Sequence, residues 1–589
     1  MKAKKLLALF LAMAMIVSLA ACSSSSSDST SSDASADSTD DTEEETTASE
    51  PVYGGSVTLY YTSDIDVNFD PTIGDNQGYN LWMETLFTYD VNMSWDGDYT
   101  CIDTSYDYTY MTGQLASGWE WDEENGVLTV YIRDDVYYQD KEPYNGRQFV
   151  ASDVKWSYDR TLGIGSGYDE PYEATEDWSS YLSYIEYIEC PDDFTVEFYF
   201  YEDQANEVNL AQFFTVYLSC IGPEWDELTD EQKSDPDYAC GTGPYILESI
   251  TAGESVTLVK NENYYGTDTR AGYEGNQLPY IDEITFVYVS DSTNAATQFI
   301  SGDIDFVGGR TTVFSDSEIA QIDASGIEYY THSNLSSRTE IIMLRCNCEP
   351  FSDINVRKAL QYAIDVEAIM TDYYDQEYEL VGFLSSNLSY AWEWTEEMIE
   401  EYTYNPDKAV ELLEEAGYSD GMEFTVVVSS DNDSDLFYYV ASTYLAEVGI
   451  TMNIEVVDSF MEAKTIGNDE TDTRSTAGTG LTGTTPRIGD AGAKTYTYDD
   501  QWGSAIWCSD ETWEAMCEAA DASTTLEEFY EANTELDEYF LAQHWTCRLS
   551  SPKILTEFYS SRLQGMADGD ALYDPTLMAT FLMNMWVSE

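Results

Sequence analysis

The sequence predicts an α/β fold, and two observations lead to this prediction. After residue 51, runs with the period-2 apolar patterning of strands alternate with runs whose apolar residues repeat at helical spacing. In the C-terminal half, a strand at 423–428, a helical run ending at Glu447 and a strand at 450–456 follow one another directly. Such a unit favours parallel strands with helices on the faces of the sheet. Ligands of these sheets lie at the carboxyl ends of the strands, so we expect a binding site there.

The N-terminal segment has the pattern of an export signal followed by an attachment site. Three lysines within the first five residues precede an apolar run at 6–20, which is shorter than the roughly 20 residues that a membrane span needs. Residues 19–22 (LAAC) resemble the lipobox of bacterial lipoproteins, so we predict a signal peptide at 1–21 and lipidation of Cys22. An ordinary signal peptide with an incidental cysteine is the alternative. Diacylation would give stable anchoring, because two chains hold a protein where one does not.

Composition limits the class of partner. The chain has 112 acidic against 24 basic residues and a formal net charge of −88. Because nucleic-acid binding requires neutralisation of phosphates, we exclude nucleic-acid partners. Together with Cys22, the Ser- and Asp-rich segment 23–50 has no aromatic or large aliphatic side chain, which predicts a disordered tether. Aromatic residues make up 14% of the chain, a surplus that suits a cleft gripping varied ligands by stacking.

Individual elements can be placed from local signals. The first helix has apolar residues at helical spacing over 356–368, behind the possible caps Ser352 and Asp353. The second begins at the cap Asn405, with a proline at the first helical position, and ends at Gly417. Four strands are predicted in the N-terminal half, at 56–60, 128–132, 195–200 and 283–289.

Familiar catalytic and metal-binding patterns are absent from the sequence. The two histidines, His332 and His544, cannot form an H-E-x-x-H motif or a multi-histidine site, and we expect each to be a surface or hinge residue. Residues 478–483 (GTGLTG) fit G-x-G-x-x-G, but the polar stretch before them and Pro486 after them favour a flexible loop over a dinucleotide site. Residues 431–435 begin like a calcium loop without its glycine and glutamate, which favours a solvated loop. We therefore expect no catalytic residue, no cofactor and no metal site.

Cysteine usage leaves one disulfide open. Nine cysteines follow Cys22, so at least one thiol is unpaired. Export permits disulfides, and a bond between Cys220 and Cys240 would close a short loop. The sequence favours neither alternative, a disulfide between Cys220 and Cys240 or two free thiols at these positions.

Several motifs resemble, in order and spacing, the extracellular solute-binding proteins of peptide-type ABC importers, known as solute-binding family 5. Each motif alone is modest, but together they span about residues 54 to 457. The motifs are 54–58 (GGSVT), 68–71 (NFDP), 84–90 (ETLFTYD), 115–120 (LASGWE), 128–136 (LTVYIRDDV), 151–158 (ASDVKWSY), 241–245 (GTGPY), 301–305 (SGDID), 350–360 (PFSDINVRKAL) and 404–418 (YNPDKAVELLEEAGY).

The resemblance implies a two-lobed fold of the type II periplasmic-binding-protein kind, with a ligand cleft between lobes that close by hinge motion. It also implies an additional small α+β domain, permease transmembrane subunits as partners, and a location on the outer face of the bacterial cell membrane. We expect a monomer that performs no covalent chemistry. Carried over, lobe one comprises 51–84, 203–334 and 549–589, the extra domain 85–202, and lobe two 335–548.

The candidate ligand-binding residues follow from the resemblance, with one departure from the family pattern. Peptide binders of the family carry, late in lobe two, an aspartate that pairs with the peptide's α-amino group. Here no acid occurs in the comparable stretch before Asp490, so either Asp490 takes that role or no free amino terminus is held there, since an unpaired buried ammonium is costly. The other candidates are Asp75 and Asn76 of lobe one, Arg338 and Glu340 near the hinge, and Arg487 and Trp502 of lobe two.

Three functions remain to be weighed. The resemblance favours a lipid-anchored receptor that delivers a short peptide to an ABC permease. The aromatic surplus and the missing acid favour an oligosaccharide as the alternative ligand, whereas a nickel complex is disfavoured by the shortage of histidines. A surface glycosidase using two carboxylates belongs to another class, but with 112 acids such pairs arise by chance.

Overall fold

A computed structural model gives the fold. It describes residues 50–61, 69–70, 81–92, 111–172, 179, 182–215, 218–289, 291–309, 313–335, 338–374, 376, 378, 380, 394–430, 435–481, 506–508, 510–551, 554–566 and 578–588.

The strands of the described ranges are, in chain order, β1 (Ser56–Tyr61), β2 (Phe87–Tyr89), β3 (Met111–Gly113), β4 (Ala116–Asp122), β5 (Val127–Ile132), β6 (Ile185–Asp192), β7 (Thr195–Phe200), β8 (Tyr245–Thr251), β9 (Ser255–Lys260), β10 (Glu283–Tyr288), β11 (Phe306–Val307), β12 (Tyr329–Leu335), β13 (Arg338–Met343), β14 (Met422–Ser429), β15 (Ile450–Val457), β16 (Ser475–Leu481), β17 (Thr546–Arg548), β18 (Ile554–Ser560), β19 (Leu563–Gln564) and β20 (Trp586–Val587).

The helices of the same ranges are α1 (Ala151–Leu162), α2 (Glu207–Thr215), α3 (Asp230–Lys233), α4 (Ser292–Ser301), α5 (Asp316–Ser325), α6 (Ile354–Ala363), α7 (Val366–Tyr374), α8 (Glu396–Glu401), α9 (Pro406–Glu415), α10 (Asp435–Glu447), α11 (Phe460–Gly467), α12 (Glu511–Asp521), α13 (Leu526–Gln543) and α14 (Met578–Leu582), with 3-10 turns at Pro223–Glu227 and Pro236–Tyr238. None of these helices combines the length and apolar character that a bilayer crossing requires.

Two large sheets and one smaller sheet organise the chain. The seven-stranded sheet has the order β12-β18-β11-β1-β10-β9-β8, and we call it, with the helices on it, lobe one. The five-stranded sheet of lobe two has the order β15-β14-β16-β13-β17. The four-stranded antiparallel sheet has the order β4-β5-β7-β6, with α1 packed against one of its faces. Two pairs, β2 with β3 and β19 with β20, complete the described strands.

Lobe two contains the predicted strand–helix–strand unit. Strand β14 runs parallel to β15 over its full length, with Met422 opposite Ile450, and α10 connects the two strands. Strand β13 is antiparallel to both of its neighbours, β16 and β17. The predicted α/β character of this half is therefore confirmed, as are the four predicted N-terminal strands.

The apolar cores differ in extent between the sheets. One continuous cluster lies in lobe one and also covers the inner face of the four-stranded sheet, joining Trp82 and Leu258 to Val130 and Phe198, while a second lobe-one cluster surrounds Phe299. Lobe two has separate clusters, one around Val426 and another around the aromatic rings that follow it in the chain. The four-stranded sheet thus shares the core of lobe one.

One predicted helix is divided in two. The apolar stripe at 356–368 spans α6 and α7, and the chain leaves helical geometry at Ile364. The reason is a second cap, because the Asp365 side chain accepts a hydrogen bond from the Ala368 N–H at 2.9 Å. Asp353, rather than Ser352, caps α6, while the predicted cap Asn405 accepts from the Lys408 N–H at 3.1 Å.

The glycine-rich stretch is a strand as far as Leu481, which corrects the prediction of a flexible loop. Strand β16 pairs with six residues of β13, from Arg338 to Met343. A Cβ on Gly478 would lie 2.6 Å from the Met343 methyl group, so glycine lets the two strands pack closely. The first glycine of the G-x-G-x-x-G pattern therefore serves the packing of the sheet. Residues 482–483 of the pattern lie outside the described ranges.

Candidate functional site

The chain passes between lobe one and lobe two at two neighbouring places. Strand β12 leads into β13 through a two-residue link, and β17 leads into β18 through residues 549–553. In lobe one, Leu335 of β12 is paired with Ile554 of β18. In lobe two, Ile341 of β13 is paired with Arg548 of β17. Because a few residues between sheets can absorb a change in backbone angles, these two passages are the candidate hinge, and residues 336–337 and 552–553 within them lie outside the described ranges.

Hydrogen bonds hold the second link against β13. The Leu549 N–H donates to the Glu340 carbonyl oxygen at 2.8 Å, and the Glu340 N–H donates to Ser550 Oγ at 2.7 Å. Just before this link, the Arg548 N–H donates to Gln361 Oε1 at 2.8 Å. The Glu340 side chain is only 5% exposed, which places a carboxylate at the base of the hinge.

Several buried hydroxyl groups of lobe two and of the second link have no hydrogen-bond partner among the described residues. They are Thr339 Oγ1 on β13, Thr476 Oγ1 on β16, Ser551 Oγ on the second link and the Tyr378 hydroxyl after α7. A buried polar group without a partner costs about 1–3 kcal/mol, so each requires an explanation such as a ligand or water. Because a hydroxyl can donate and accept, this set suits a ligand with both kinds of group.

Aromatic rings accompany these hydroxyls. The ring of Tyr374, at the end of α7, stacks on Phe437 with centroids 4.6 Å apart and an interplanar angle of 7°. Burial raises the pKa of Tyr378 to about 12, partly offset by the positive charge of Arg548, so its hydroxyl is protonated at neutral pH. Burial and the negative charge of Glu340 also raise the pKa of Tyr374. Because side chains alternate along β13, Glu340 lies on the face of the lobe-two sheet that carries Tyr374 and Tyr378, whereas the Thr339 hydroxyl lies on the other face.

Comparison with protein families identifies the class of protein. The family model "Bacterial extracellular solute-binding proteins, family 5 Middle" matches residues 111–505. The chain belongs to this family. The resemblance in the sequence motifs is thereby confirmed, and family 5 proteins are binding proteins located outside the cytoplasm.

Curated relatives of this family 5 chain have varied names. Heme-binding protein A of Haemophilus influenzae is 24% identical over 323 residues, which are 52% of this chain and 54% of that protein. The glutathione-binding protein GsiB of Salmonella typhi is 26% identical over 358 residues, covering 59% of this chain and 62% of that protein. These matches span less than two thirds of each relative's length.

Solved structures show the family 5 fold over nearly the whole chain. The periplasmic binding protein DppA of Helicobacter pylori, in complex with the peptide STSA, superposes with a TM-score of 0.67 at 19% identity. The match covers 91% of this chain and 99% of that one. At this identity the likeness shows the fold, which is the two-lobed type II binding-protein architecture that the sequence predicts.

The predicted ligand-binding residues of this family 5 chain are only partly described. Glu340 lies at the hinge, as expected, and Arg338 is the first residue of β13, with its backbone opposite Leu481. Their role in binding stays a prediction. Outside the described residues lie Asp75, Asn76, Arg487, Asp490 and Trp502, together with the predicted lipidation site Cys22.

Sequence reasoning missed the hydroxyl groups at the hinge. Thr339 adjoins the predicted Glu340, and Ser550 and Ser551 follow a short strand directly before a proline. The pair of serines at a strand end was the available signal, because short polar side chains there can satisfy backbone groups. Nothing in the local pattern distinguishes Tyr378 among the 48 tyrosines of the chain.

The suggested disulfide is not formed, since Cys220 and Cys240 are free, buried thiols. The Cys220 N–H donates to the Glu84 carbonyl oxygen at 2.9 Å. Cys240 Sγ lies 3.6 Å from the carbonyl oxygen of Gln139 and 3.5 Å from that of Lys141. Burial raises the pKa of Cys240 to about 12, so this thiol stays protonated and acts as a small core residue.

The histidines are structural in this family 5 chain. His544 is buried, which corrects the expectation of a surface position, and its Nε2 lies 3.0 Å from Glu401 Oε2. Its ring stacks on Tyr402 at a centroid distance of 4.8 Å. His332, in β12, is also buried. Within the described ranges, no group of three or more His, Cys, Asp or Glu residues is arranged to hold a metal ion.

Proposed function

We propose that this protein captures short peptides outside the cytoplasm and delivers them to the transmembrane subunits of an ABC importer. The observation that carries the proposal is the two-stranded hinge, bordered by buried hydroxyl groups that lack partners among the described residues. In a two-lobed binding protein, closure around a ligand brings such groups into contact with it. The ligand then supplies the hydrogen bonds that the free protein does not make.

A peptide matches the chemistry of these groups. Each residue of a peptide carries one N–H donor and one C=O acceptor, and hydroxyl groups such as those of Thr339 and Ser551 can serve either. Glu340 offers a buried carboxylate that pairs with a ligand ammonium group. Rings such as that of Tyr374 accept varied side chains by stacking and apolar contact.

The comparisons support a peptide but also show why the ligand must be measured. One structural neighbour holds the peptide STSA, and one curated relative is named for glutathione. Another relative is named for heme. The named ligands differ within the family, so membership alone does not select one.

Calorimetry on the mature chain tests the proposal. Residues 23–589 are unfolded, washed free of co-purified ligand, refolded and titrated with a mixture of short peptides and separately with oligosaccharides. We expect a saturable peptide heat that weakens in Glu340→Gln and stays unchanged in the control Glu254→Gln, which alters an exposed turn of lobe one. Silence with peptides together with a saturable oligosaccharide heat would contradict the proposal. Native mass spectrometry of the untreated protein identifies what the cleft retains.

We further propose that Cys22 is lipidated, that residues 22–50 tether the protein to the outer face of the cell membrane, and that the tethered protein is a monomer. The small-residue pattern before the cysteine supports this proposal. Cys22→Ser is expected to release the protein into the medium without changing its ligand affinity. A variant that stays with the membrane would contradict the anchor, and light scattering of the released protein measures its oligomeric state.

The proposed domain boundaries assign 51–84, 203–334 and 549–589 to lobe one, 85–202 to the extra domain and 335–548 to lobe two. Limited proteolysis tests them. We expect early cleavage at the exposed boundary 202–203 and protection of the buried boundaries 84–85 and 548–549, where Glu84, Arg548 and Leu549 are buried. Cuts confined to the interiors of the segments would contradict the assignment.

A further inference from the structure

The four-stranded sheet has an outer face that the apolar core does not cover. Helix α1 packs against the inner face, where Leu128, Val130, Val196 and Phe198 are buried. The alternate residues of the same strands point to the outer face, because side chains of a strand alternate between the two sides of a sheet. These outer residues are half-buried or exposed.

The register of the strands brings three glutamates into one row across the outer face. Glu120 on β4 is opposite Thr129 on β5, Thr129 is opposite Glu197 on β7, and Glu197 is opposite Glu189 on β6. Like charges directly opposite each other on neighbouring strands destabilise a sheet. The four strands contain no lysine or arginine to compensate this repulsion.

Tyrosine side chains lie on both sides of this glutamate row. Tyr131, two residues from Thr129 on β5, is 36% exposed. On the other side, Tyr187 is 42% exposed and stacks on Tyr199, with centroids 4.3 Å apart and an interplanar angle of 12°. The Tyr199 hydroxyl donates to Glu197 Oε2 at 2.7 Å, which holds that pair of rings beside the carboxylates.

The spacing of the row suits an extended cationic chain better than a metal ion. Strands lie about 4.8 Å apart, so the row from Glu120 to Glu189 is about 14 Å long. Within the described residues the carboxylates do not converge into a metal-binding group. Alternate side chains of an extended peptide are about 6.8 Å apart, so three of them cover the row. Lysine and arginine pair with carboxylates and also bind over tyrosine rings.

We propose that this outer face is a docking surface for a lysine- or arginine-rich segment of another polypeptide. The docked cations neutralise the opposed Glu189 and Glu197 and contact the faces of Tyr131 and Tyr187. The surface is separate from the hinge, so the inference does not depend on the proposed function. An oligosaccharide fits less well, because Tyr187 and Tyr199 stack on each other instead of forming a flat platform, and hydroxyl groups do not relieve the opposed charges.

The experiment uses the mature chain and a labelled peptide of six Gly-Lys repeats, blocked at both termini, with fluorescence anisotropy as the readout. The variant E120Q/E189Q/E197Q removes the row. The matched control E248Q/E254Q/E283Q removes three exposed glutamates of lobe one. We expect the row variant to weaken binding of the peptide at least about tenfold and the control to weaken it less than about twofold. The reason is that carboxylates in direct contact with the lysines contribute more to affinity than the net negative charge of the whole protein does. Equal losses in the two variants would overturn the proposal.

Two further measurements separate this surface from the hinge cleft and from an effect of net charge. The variant Y131S/Y187S keeps the charge and is expected to weaken binding several-fold, whereas the control Y288S/Y439S, which changes two other exposed tyrosines, is not. Carbodiimide joins the peptide's lysines to nearby carboxylates, and we expect the cross-links at Glu120, Glu189 and Glu197. Cross-links at Glu340 instead, or a tyrosine-dependent oligosaccharide signal without loss in the row variant, would overturn the proposal.

Folding is checked in the same samples. Because the row variant removes opposed like charges, its melting temperature is expected to equal or exceed that of the wild type. Should the triple variant fail to fold, E189Q alone carries the test, because it breaks the directly opposed pair with one substitution. A single variant that folds and binds the peptide like the wild type would contradict the proposal.

Discussion

The two joints of lobe one differ in kind. Its joint with the four-stranded sheet consists of a continuous apolar core and many buried polar contacts, whereas its joint with lobe two consists of two short links and a small contact of α2 with the start of α13, where Val208 and Ala211 pack on Phe529. The first joins its two parts through buried side chains of one shared core, and interiors packed this closely resist deformation. The difference indicates that lobe one and the four-stranded sheet move as one body, and that the hinge lies between lobe one and lobe two.

Buried polar contacts fasten the first joint at several places. Arg160 of α1 donates to both oxygens of Asp70, at 3.0 and 2.5 Å, and Trp225 Nε1 donates to the same carboxylate at 3.1 Å. Nearby, the Ser157 hydroxyl donates to the Ile221 carbonyl oxygen at 2.8 Å. These bonds join the helix on the four-stranded sheet to segments of lobe one that are distant in the sequence.

Breaking the buried ion pair is expected to have the largest effect. Arg160→Met leaves Asp70 as an uncompensated buried charge, which costs about 3–5 kcal/mol of unfolding free energy. Urea denaturation measures this loss. The control Lys408→Met removes an exposed ion pair with Glu411 and is expected to leave the unfolding free energy nearly unchanged, because solvent screens the pair. Equal small losses in both variants would show that the joint does not depend on this pair.

Glu84 gives the same joint a dependence on pH. Its carboxyl group is buried, and Glu84 Oε1 accepts hydrogen bonds from the hydroxyls of Tyr264 at 2.8 Å and Tyr265 at 2.9 Å, with Arg133 over the Tyr265 ring. Burial raises the pKa of Glu84 from 4.5 to about 7 against the opposing effect of these bonds. The folded protein therefore keeps a proton that the unfolded chain releases at lower pH.

The expected result is a loss of stability as the pH rises. Between about pH 4.5 and 7 the folded state binds more protons than the unfolded state. The contribution of Glu84 to the unfolding free energy is therefore fully present below pH 4.5. It is lost as the pH rises through 7, and the loss is on the order of 3 kcal/mol. Glu84→Gln has no such proton. Urea denaturation at pH 5 and pH 8 gives the difference in unfolding free energy between the wild type and Glu84→Gln at each pH. We expect this difference to change between the two pH values. The same difference at both pH values would contradict the raised pKa of Glu84.

The hinge is expected to respond more weakly in stability than the fixed joint. Ser550→Ala removes the acceptor of the Glu340 N–H and leaves that buried donor unsatisfied, which costs about 1–3 kcal/mol. The control Ser301→Ala changes an exposed serine at the end of α4 and is expected to cost less than about 0.5 kcal/mol. Urea denaturation compares the two. A variant of Ser550 as stable as the control would mean that this bond does not hold the link.

The same contrast explains what could be predicted from the sequence. Local signals located the strand–helix–strand unit of lobe two and the cap at Asn405, because periodicity and capping act within a few residues. The end of α6 was missed because Asp365 acts as a second cap inside an apolar stripe. Strand β16 was missed because its glycines are typical of a loop, and no local pattern shows that Met343, more than 130 residues earlier in the chain, packs against Gly478. The hinge hydroxyls depend on pairing between β13 and β17, which are far apart in the chain, so no local pattern indicates them.

The smallest expected change in stability, and the most informative one, concerns Thr339 at the hinge. Because Thr339 Oγ1 is buried without a partner among the described residues, Thr339→Val removes an unsatisfied group of nearly the same shape. The ligand-free protein should therefore keep its unfolding free energy within about 0.5 kcal/mol or gain stability, whereas ligand affinity should fall by about 2- to 10-fold as one hydrogen bond is lost. Thr331→Val, at an exposed position of β12, is expected to change neither. Calorimetry with the peptide that binds, together with urea denaturation, measures both quantities. A loss of more than about 1 kcal/mol in the ligand-free protein would show that the hydroxyl is already satisfied before binding, and the hinge would then resemble the fixed joint in its polar contacts.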